Sequence, residues 1–171
     1  MTDAQSTSID RWYDYITTRL GREPRGLREV AAFNDRGEPA VIRVSSVVDG
    51  APFPTLYWLI DPTLCLALDR LEAGGAIARL QALVDQSQTL QQSMRSDHER
   101  HQRAREAFLT TADRQFLDEK NLWPALNYRG IGGIADFTRI RCLHTWYGAH
   151  WVESNTIGRL IDDILTSPNP T

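Results

Sequence analysis

The amino-acid sequence predicts an α+β fold, in which a small antiparallel sheet of about three strands packs against a helical majority. Two changes in the spacing of apolar residues support this prediction. The spacing is helical up to Leu20, becomes strand-like over Val30–Ile60, and is helical again from Asp61 onward. Turn sequences separate the strand-like runs, so that consecutive strands are expected to pair as hairpins.

The first half of the chain supplies one helix and the sheet. The predicted elements are a helix at Ser8–Leu20, the two strands of a hairpin at Val30–Phe33 and Ala40–Val44, and a third, more buried strand at Phe53–Ile60. The turn sequence Asn34–Gly37 joins the hairpin. Pro52 and Pro54 have no N–H group to donate to a ladder, and they confine the beginning of the third strand to an edge or entry point.

The second half of the chain is predicted to be helical. Asp61 has the side chain of a helix N-cap, Pro62 suits the first helical position, and Gly74–Gly75 ends the helix. Further helices are predicted at Ile77–Val84, Ser87–Leu109, Ala112–Leu117, Phe137–Val152 and Ile157–Leu165, with a glycine-rich loop at Asn127–Ala135. The helix at Ser87–Leu109 has few apolar residues, which favours a solvent-facing helix or one wall of an interface, and it offers a surface for self-association.

Size and composition indicate one globular domain. A chain of 171 residues buries about two-thirds of the surface that its unfolded form exposes, so it needs neither a disulfide nor a metal in order to fold. Apolar residues make up 42% and charged residues 24% of the chain, which excludes the disordered and fibrous classes. We therefore predict a single domain over residues 1–171, with flexible segments at 1–7 and 166–171.

The same composition bears on location and partners. The polar segment Met1–Ser8 has neither a basic region nor an apolar core, so no signal peptide is expected, and no stretch is apolar enough to span a bilayer. Cys65 and Cys142 are far apart, which fits reduced thiols in a cytoplasm. A formal net charge of −3 argues against a general nucleic-acid binder. We predict a cytoplasmic protein that binds neither nucleic acid nor membrane.

Most of the unusual chemistry lies in the segment 139–151, which holds a cysteine, two histidines, two arginines and three aromatic residues. If this segment is helical, Cys142 shares a face with His150 rather than with His144. If the chain is extended around Cys142, Cys142 and His144 lie side by side. Arg141 and His144 would then lower the pKa of the thiol, making Cys142 a nucleophile and His144 its general base. The opposing interpretation is that Cys142 is a small, buried and inert side chain.

A metal site is a second interpretation of the same residues. Cys142 and His144, together with His98 and His101 from the long polar helix, are of the types that ligate transition metals. The spacing C-x-H-x5-H is not a familiar zinc signature, however, and His98 and His101 are most simply part of an exposed charged face. The sequence indicates no particular cofactor.

The glycine-rich loop predicts a site for an anion, because glycines allow main-chain N–H groups to turn toward a ligand and an arginine can clamp it. The predicted anion-binding residues are Arg129, Gly130, Gly132, Gly133, Arg141 and Asn155. A tight loop between two helices accounts for the glycines equally well. A second group of arginines, in the segment 19–28, is interpreted as a solvated surface.

Five runs of the sequence together resemble one protein family. They are P-F-P-T-L-Y-W-L-I-D-P, R-L-E-A-G-G, R-G-I-G-G-I, C-L-H and N-T-I-G, in this order, and the resemblance as a whole spans roughly Leu20 to Leu160. The chain resembles an uncharacterised bacterial family that carries only the label of domain of unknown function five hundred and one. The resemblance implies a small cytoplasmic protein of one domain, and it supplies no reaction.

The resemblance also marks individual positions. Those that match its motifs are Pro54, Thr55, Trp58, Glu72, Gly132, Gly133, Cys142, His144, Asn155 and Gly158. The family pattern leads us to expect a further histidine two residues after His144, where this chain has Trp146. This departure weakens a site of several histidines more than it weakens a Cys142–His144 pair.

Three functions follow from these residues. The first is a small enzyme that acts on an anionic or phosphorylated small molecule through Cys142, His144 and the glycine-rich loop. The second is a non-catalytic module that binds an anion or a protein partner, in which Cys142 is inert. The third is a metal-binding protein that uses Cys142 and histidines.

Overall fold

Three antiparallel strands form the sheet on which the helices pack. A computed structural model describes the backbone of residues 3–167 and the side chains of residues 9–167. The strands of the described chain are β1 (Leu27–Phe33), β2 (Pro39–Val44), β3 (Val47–Val48), β4 (Ala51–Pro52) and β5 (Tyr57–Leu59). Its helices are α1 (Asp3–Leu20), α2 (Pro62–Ala73), α3 (Ala76–Asp85), α4 (Gln88–Ala107), α5 (Thr111–Glu119), α6 (Pro124–Asn127), α7 (Leu143–His150) and α8 (Thr156–Thr166). The predicted α+β class is confirmed.

The strand order is β1-β2-β5, with β2 in the centre and both pairings antiparallel. Successive side chains of β2 point to opposite faces of the sheet. Val41 belongs to the larger core, which also holds Trp146 of α7, whereas Ile42 packs with Ile16 of α1. α1 therefore covers one face of the sheet, and the other face is covered by helices that include α7.

The third strand is shorter than the sequence predicts. β5 begins at Tyr57 rather than at Phe53, because Pro52 closes the small hairpin β3–β4 and Pro54 has no N–H group to donate. The tight turn of that hairpin is at Asp49 and Gly50, which have φ angles of 51° and 72°. The main hairpin between β1 and β2 forms as predicted.

α2 begins at a well-satisfied N-cap. The Oδ1 atom of Asp61 accepts the main-chain N–H groups of Thr63 and Leu64, both at 2.9 Å, and Oδ2 accepts Nδ2 of Asn34 at 2.7 Å. Burial raises the pKa of Asp61, but these three hydrogen bonds outweigh it and the net pKa is lowered. Asp61 thus fixes both the start of α2 and its attachment to the β1–β2 hairpin, as its sequence signature predicts.

The expectation that His98 and His101 lie on an exposed charged face of the long polar helix is wrong. α4 buries five residues along one side: Met94, Asp97, His98, His101 and Arg105. Three of the polar members, Asp97, His98 and Arg105, bind main-chain groups of other segments. Arg105 donates to the carbonyls of Pro54, Leu126 and Arg129, and Asp97 accepts the N–H of Thr156. Self-association through residues 87–109 stays a prediction.

The final long helix is also shorter than predicted. α7 begins at Leu143, not at Phe137, because the main-chain N–H groups before it bind elsewhere. The N–H of Thr138 donates to Asp136 Oδ1, and that of Ile140 donates to Gln81 Oε1. Cys142 is the extended N-cap residue, with φ −151° and ψ 126°.

The ends of the chain differ from the sequence prediction at one point. The backbone of α1 is already helical at Asp3, ahead of the predicted start at Ser8. Residues 1–2 and 168–171 lie outside the described part, so flexibility of the segments 1–7 and 166–171 stays a prediction. None of the described helices has the length and apolar character that crossing a lipid bilayer requires.

Replacing Asp61 tests the anchor of α2. Asp61→Ala should lower the free energy of unfolding by about 2 kcal/mol, because it removes the cap and the nearer of the two carboxylates that accept from the half-buried amide of Asn34. Urea denaturation measures the loss. Asp61→Asn keeps one acceptor oxygen and should lose less than half as much. Equal stability of Asp61→Ala and the wild type would contradict the assigned role.

Candidate functional site

The candidate site forms where the last turn of α2 meets the first turn of α7. α7 lies close on β5 because residue 148 is glycine: a Cβ there would come within 3.1 Å of the main-chain nitrogen of Leu59. At its N-terminal end, the N–H of Leu143 donates to Oε1 of Glu72 at 2.6 Å. This bond joins residues that are 71 positions apart and brings Cys142 and His144 beside α2.

Two side chains, those of Cys142 and Glu72, converge on one atom, Nδ1 of His144. The Sγ atom of Cys142 lies 3.8 Å from it, and Oε1 of Glu72 lies 3.3 Å from it. The extended conformation of Cys142 produces this contact, so that of the two predicted arrangements the side-by-side one is present. One potential ligand atom from each of the three residues lies within 4.8 Å of those of the other two, close enough to hold a metal ion together.

The other ring nitrogen of His144 faces α2. Nε2 lies 3.3 Å from the carbonyl oxygen of Cys65 and 3.3 Å from Oδ1 of Asp69. These contacts are made on the side of the ring away from Cys142 and Glu72, and they orient the imidazole. The ring therefore has acceptor groups at both nitrogens, which favours a protonated or metal-bound state.

The surroundings shift both members of the Cys142–His144 pair toward their charged forms. The hydrogen bond with Cys142 raises the pKa of His144 to about 9, against the effect of burial and with support from the negative charge of Glu72. Burial raises the pKa of the Cys142 thiol, but the hydrogen bond with His144 and the main-chain N–H groups of Thr145 and His144 outweigh it, so the net pKa is lowered. In contrast, burial raises the pKa of Cys65 to about 11.

A cleft opens beside His144. It has a volume of about 300 Å³ and is lined by Leu20, Arg22, Thr55, Tyr57, Trp58, Leu59, His144 and Thr145. The guanidinium of Arg22 lies over the ring of Trp58, 5.1 Å from its centroid. Among the described side chains, no carboxylate forms a salt bridge with Arg22. The cleft thus combines apolar walls, the imidazole of the candidate site and one cation.

Close packing requires glycine at two positions of the glycine-rich loop. A Cβ on Gly130 would overlap the imidazole of His98, and one on Gly132 would lie 2.6 Å from Oγ1 of Thr145. Four main-chain N–H groups in the loop already donate to internal acceptors: those of Gly130, Ile131, Gly133 and Ile134. The tight-loop interpretation accounts for these contacts, and an anion in the loop stays a prediction.

The structure gives the other predicted anion-binding residues different surroundings. Arg129 and Arg141 are exposed, and Arg141 precedes Cys142 in the chain. Asn155 is buried and caps α8: its Oδ1 accepts the N–H of Gly158, and its Nδ2 donates to the carbonyl of Trp146. Both polar atoms of Asn155 are therefore occupied in holding the fold, which corrects its assignment as a ligand-binding residue.

His98 and His101 do not join Cys142 and His144. Both are buried in α4, which lowers the pKa of His98 to about 4 and that of His101 to about 3. Nδ1 of His98 accepts the N–H of Ile131 at 3.0 Å. In the described part of the chain, the one group of potential metal ligands is Glu72, Cys142 and His144. Of the four residues in the alternative metal site, the structure therefore brings only Cys142 and His144 together, with Glu72 beside them.

Sequence reasoning missed several residues of the site. Glu72 matches a motif of the family resemblance, but no role followed from it. No sequence pattern points to Asp69 or to the carbonyl of Cys65, because their contacts with His144 depend on the fold alone. Arg22 belongs to a group that was interpreted as a solvated surface, and the structure places it in the cleft beside His144.

The comparisons with known proteins are consistent with the resemblance. A family model described as Protein of unknown function (DUF501) matches residues 30–163, which include Glu72, Cys142 and His144. No curated protein matches the chain. No solved structure matches it.

The pH dependence of thiol alkylation tests the paired cysteine. In chelator-treated protein, Cys142 should react with iodoacetamide with a midpoint below that of an ordinary thiol, while Cys65 stays unreactive near neutral pH because its pKa is about 11. Cys65→Ser should keep the low midpoint, and His144→Ala should raise it, since the imidazole that stabilises the thiolate is gone. A native thiol that reacts only after unfolding would contradict the pair.

Gly130→Ala tests the packing of the loop. Residue 130 has φ −95°, which alanine adopts, so the expected effect comes from the overlap with His98 alone. We expect a loss of about 1–3 kcal/mol in the free energy of unfolding, measured by urea denaturation. In the background of His98→Ala the same change should cost less, and an equal cost in both backgrounds would exclude the overlap as its cause.

Proposed function

Because the chain belongs to the DUF501 family, whose function is unknown, we propose its function from the site alone. We propose a small enzyme whose reactive centre is Glu72, Cys142 and His144, and whose substrate is a small anionic molecule bound in the adjoining cleft. We also propose that the protein is bacterial and cytoplasmic. The cytoplasmic location is supported by the two cysteines, which are both free thiols in the fold.

One observation carries the proposal: His144 belongs to the reactive centre and to the wall of the cleft at once. Its ring contacts Cys142 and Glu72 through Nδ1, and it also lines the cleft together with Thr145. Cavities of a few hundred Å³ with apolar walls and a few convergent polar groups are typical of small-molecule sites. A molecule in this cleft would lie against a group whose pKa is displaced by its surroundings, as is common in active sites.

Arg22 supports an anionic substrate. A guanidinium without a carboxylate partner, at the edge of a half-apolar cleft, favours a carboxylate or phosphate as the group it binds. Its position over the ring of Trp58 limits its freedom and so reduces the entropy lost on binding. In this proposal Arg22 takes the role that the sequence suggested for Arg129 and the glycine-rich loop.

The reaction that suits these groups is displacement at an electrophilic carbon or phosphorus atom of the anion. The nucleophile forms a bond to that atom, the bond from the atom to its leaving group breaks, and the leaving group takes up a proton from the imidazolium of His144 or from the attacking water. Two nucleophiles fit the geometry. One is the thiolate of Cys142, with His144 as the proton-transfer group. The other is a water molecule activated by a metal ion that the same three side chains hold. Both require the substrate to lie in the cleft beside His144.

Binding of anionic compounds tests the proposal. A panel of phosphorylated and carboxylated small molecules would be titrated into wild type, Arg22→Ala and Arg25→Ala by calorimetry, and each compound that binds would be assayed for turnover. We expect Arg22→Ala to weaken binding about 10–100-fold, as for the loss of a charge-assisted hydrogen bond. Arg25 lies in the same linker but pairs with Asp49 and does not line the cleft, so Arg25→Ala should bind as the wild type does.

The outcomes separate the possible functions. Binding that depends on Arg22, with turnover that is lost in Glu72→Gln, is expected for the enzyme. Binding that depends on Arg22 without turnover of any bound compound would favour the non-catalytic module instead. Binding that is equal in Arg22→Ala and Arg25→Ala would contradict the proposed cleft.

A further inference from the structure

We infer that Glu72, Cys142 and His144 hold one divalent transition-metal ion of the zinc type, through Oε1, Sγ and Nδ1 respectively. The inference rests on the proposed function, since it names what the three side chains of the reactive centre bind. It also decides between the two nucleophiles, in favour of water activated by an ion. The argument depends on the spacing of the ligand atoms, on the contacts behind them and on their chemistry.

The spacing fits a tetrahedral zinc site. With Zn–S near 2.3 Å and Zn–N near 2.0 Å, sulfur and nitrogen ligands of a tetrahedron are about 3.6 Å apart, and nitrogen and oxygen ligands are about 3.4 Å apart. The observed Sγ–Nδ1 and Nδ1–Oε1 distances are 3.8 and 3.3 Å. Both agree with the tetrahedral values to within the tolerance of about 0.2 Å for such sites.

The same distances fit a metal-free cluster less well. If His144 is protonated, its single Nδ1–H must serve two anionic acceptors, Sγ of Cys142 and Oε1 of Glu72. Charge-assisted hydrogen bonds of nitrogen to a carboxylate are about 2.7–2.9 Å long. The observed 3.3 Å to Glu72 exceeds this range, whereas Glu72 does form a short bond, of 2.6 Å, to the N–H of Leu143. The ligand atoms are therefore held apart by contacts behind them.

Those contacts resemble the outer shell of a metal site. Metal-bound histidines usually donate their second ring N–H to a carbonyl or carboxylate, which fixes the tautomer and leaves the other nitrogen for the ion. Nε2 of His144 has both kinds of acceptor, the Cys65 carbonyl and the Asp69 carboxylate. On the other two ligands, Oε1 of Glu72 accepts the N–H of Leu143, and the main-chain carbonyl of Cys142 accepts the hydroxyl of Thr145, which fixes the backbone that carries Sγ. Each proposed ligand thus has a supporting contact.

The donor set indicates both the metal and the kind of site. Thiolate, imidazole and carboxylate together suit zinc, while magnesium and calcium prefer oxygen ligands alone. Three protein ligands leave one position of a tetrahedron for water or substrate, as in catalytic rather than structural zinc sites. His144 lines the cleft, so that this position is within reach of a bound molecule.

Cobalt substitution tests the inference with a readout that is independent of activity. Chelator-stripped wild type and variants would be titrated with Co²⁺, which reports tetrahedral thiolate coordination by visible and near-ultraviolet absorption, and then with Zn²⁺ against a chromophoric competitor. We expect one Co²⁺ per chain with a thiolate band in the wild type. Cys142→Ser should lose the band, and Glu72→Gln and His144→Ala should lose tight binding.

Two variants serve as matched controls. Cys65→Ser keeps the main-chain carbonyl that contacts His144, so it should keep the band and the affinity of the wild type. Asp69→Ala removes one of the two acceptors at Nε2, and its affinity should fall about 10-fold, less than in any ligand variant. A band that is retained in Cys142→Ser but lost in Cys65→Ser would overturn the assignment.

A labelling experiment on the wild type covers the case in which variants fail to fold. Stoichiometric Zn²⁺ should protect Cys142 from iodoacetamide, and adding chelator should restore its reactivity. Reactivity that Zn²⁺ leaves unchanged would overturn the inference. If an anion whose binding depends on Arg22 is turned over in the presence of chelator, the proposed function stands and the inference of a metal ion is wrong. If the ion binds but no anion does, the inference stands and the proposed function fails.

Discussion

A single carboxylate oxygen, Oε1 of Glu72, joins the two helices on which the candidate site depends. It accepts the first main-chain N–H of α7 and also lies against the imidazole of His144. The start of α7 and the position of its histidine are therefore fixed by the same group. The other end of this arrangement is fixed by Asp61, which caps α2 and ties it to the sheet. The site thus lies between α2, which is anchored at both of its ends, and the first turn of α7.

The buried polar side chains of α4 have a related role in the loops. Arg105 donates to three carbonyls, Asp97 accepts the first N–H of α8, and His98 accepts an N–H of the glycine-rich loop. Irregular segments leave main-chain groups that must find partners once they are buried. A helix with a polar inner side supplies these partners, which explains why α4 has so few apolar residues although one side of it is buried.

Local chemistry made much of the fold predictable. The caps at Asp61 and Gly74 and the turn between β1 and β2 depend on neighbours in the sequence. The errors are of another kind. The polar inner side of α4 has the sequence pattern of an exposed helix, and the start of α7 is decided by Gln81 and Glu72, which are distant in the chain. Cys142 and His144 are two positions apart, so their contact was one of the two arrangements that the sequence offered. Glu72 is 72 positions from His144, and nothing near His144 in the sequence points to it.

The contact between Cys65 and His144 has a consequence for how the site varies among related sequences. It is made by the main-chain carbonyl, while the thiol of Cys65 points to the carbonyl of Leu59. Any residue that keeps the helical backbone at position 65 preserves the acceptor. Position 65 can therefore drift in evolution while the imidazole keeps its orientation, and an alignment would understate the importance of this position.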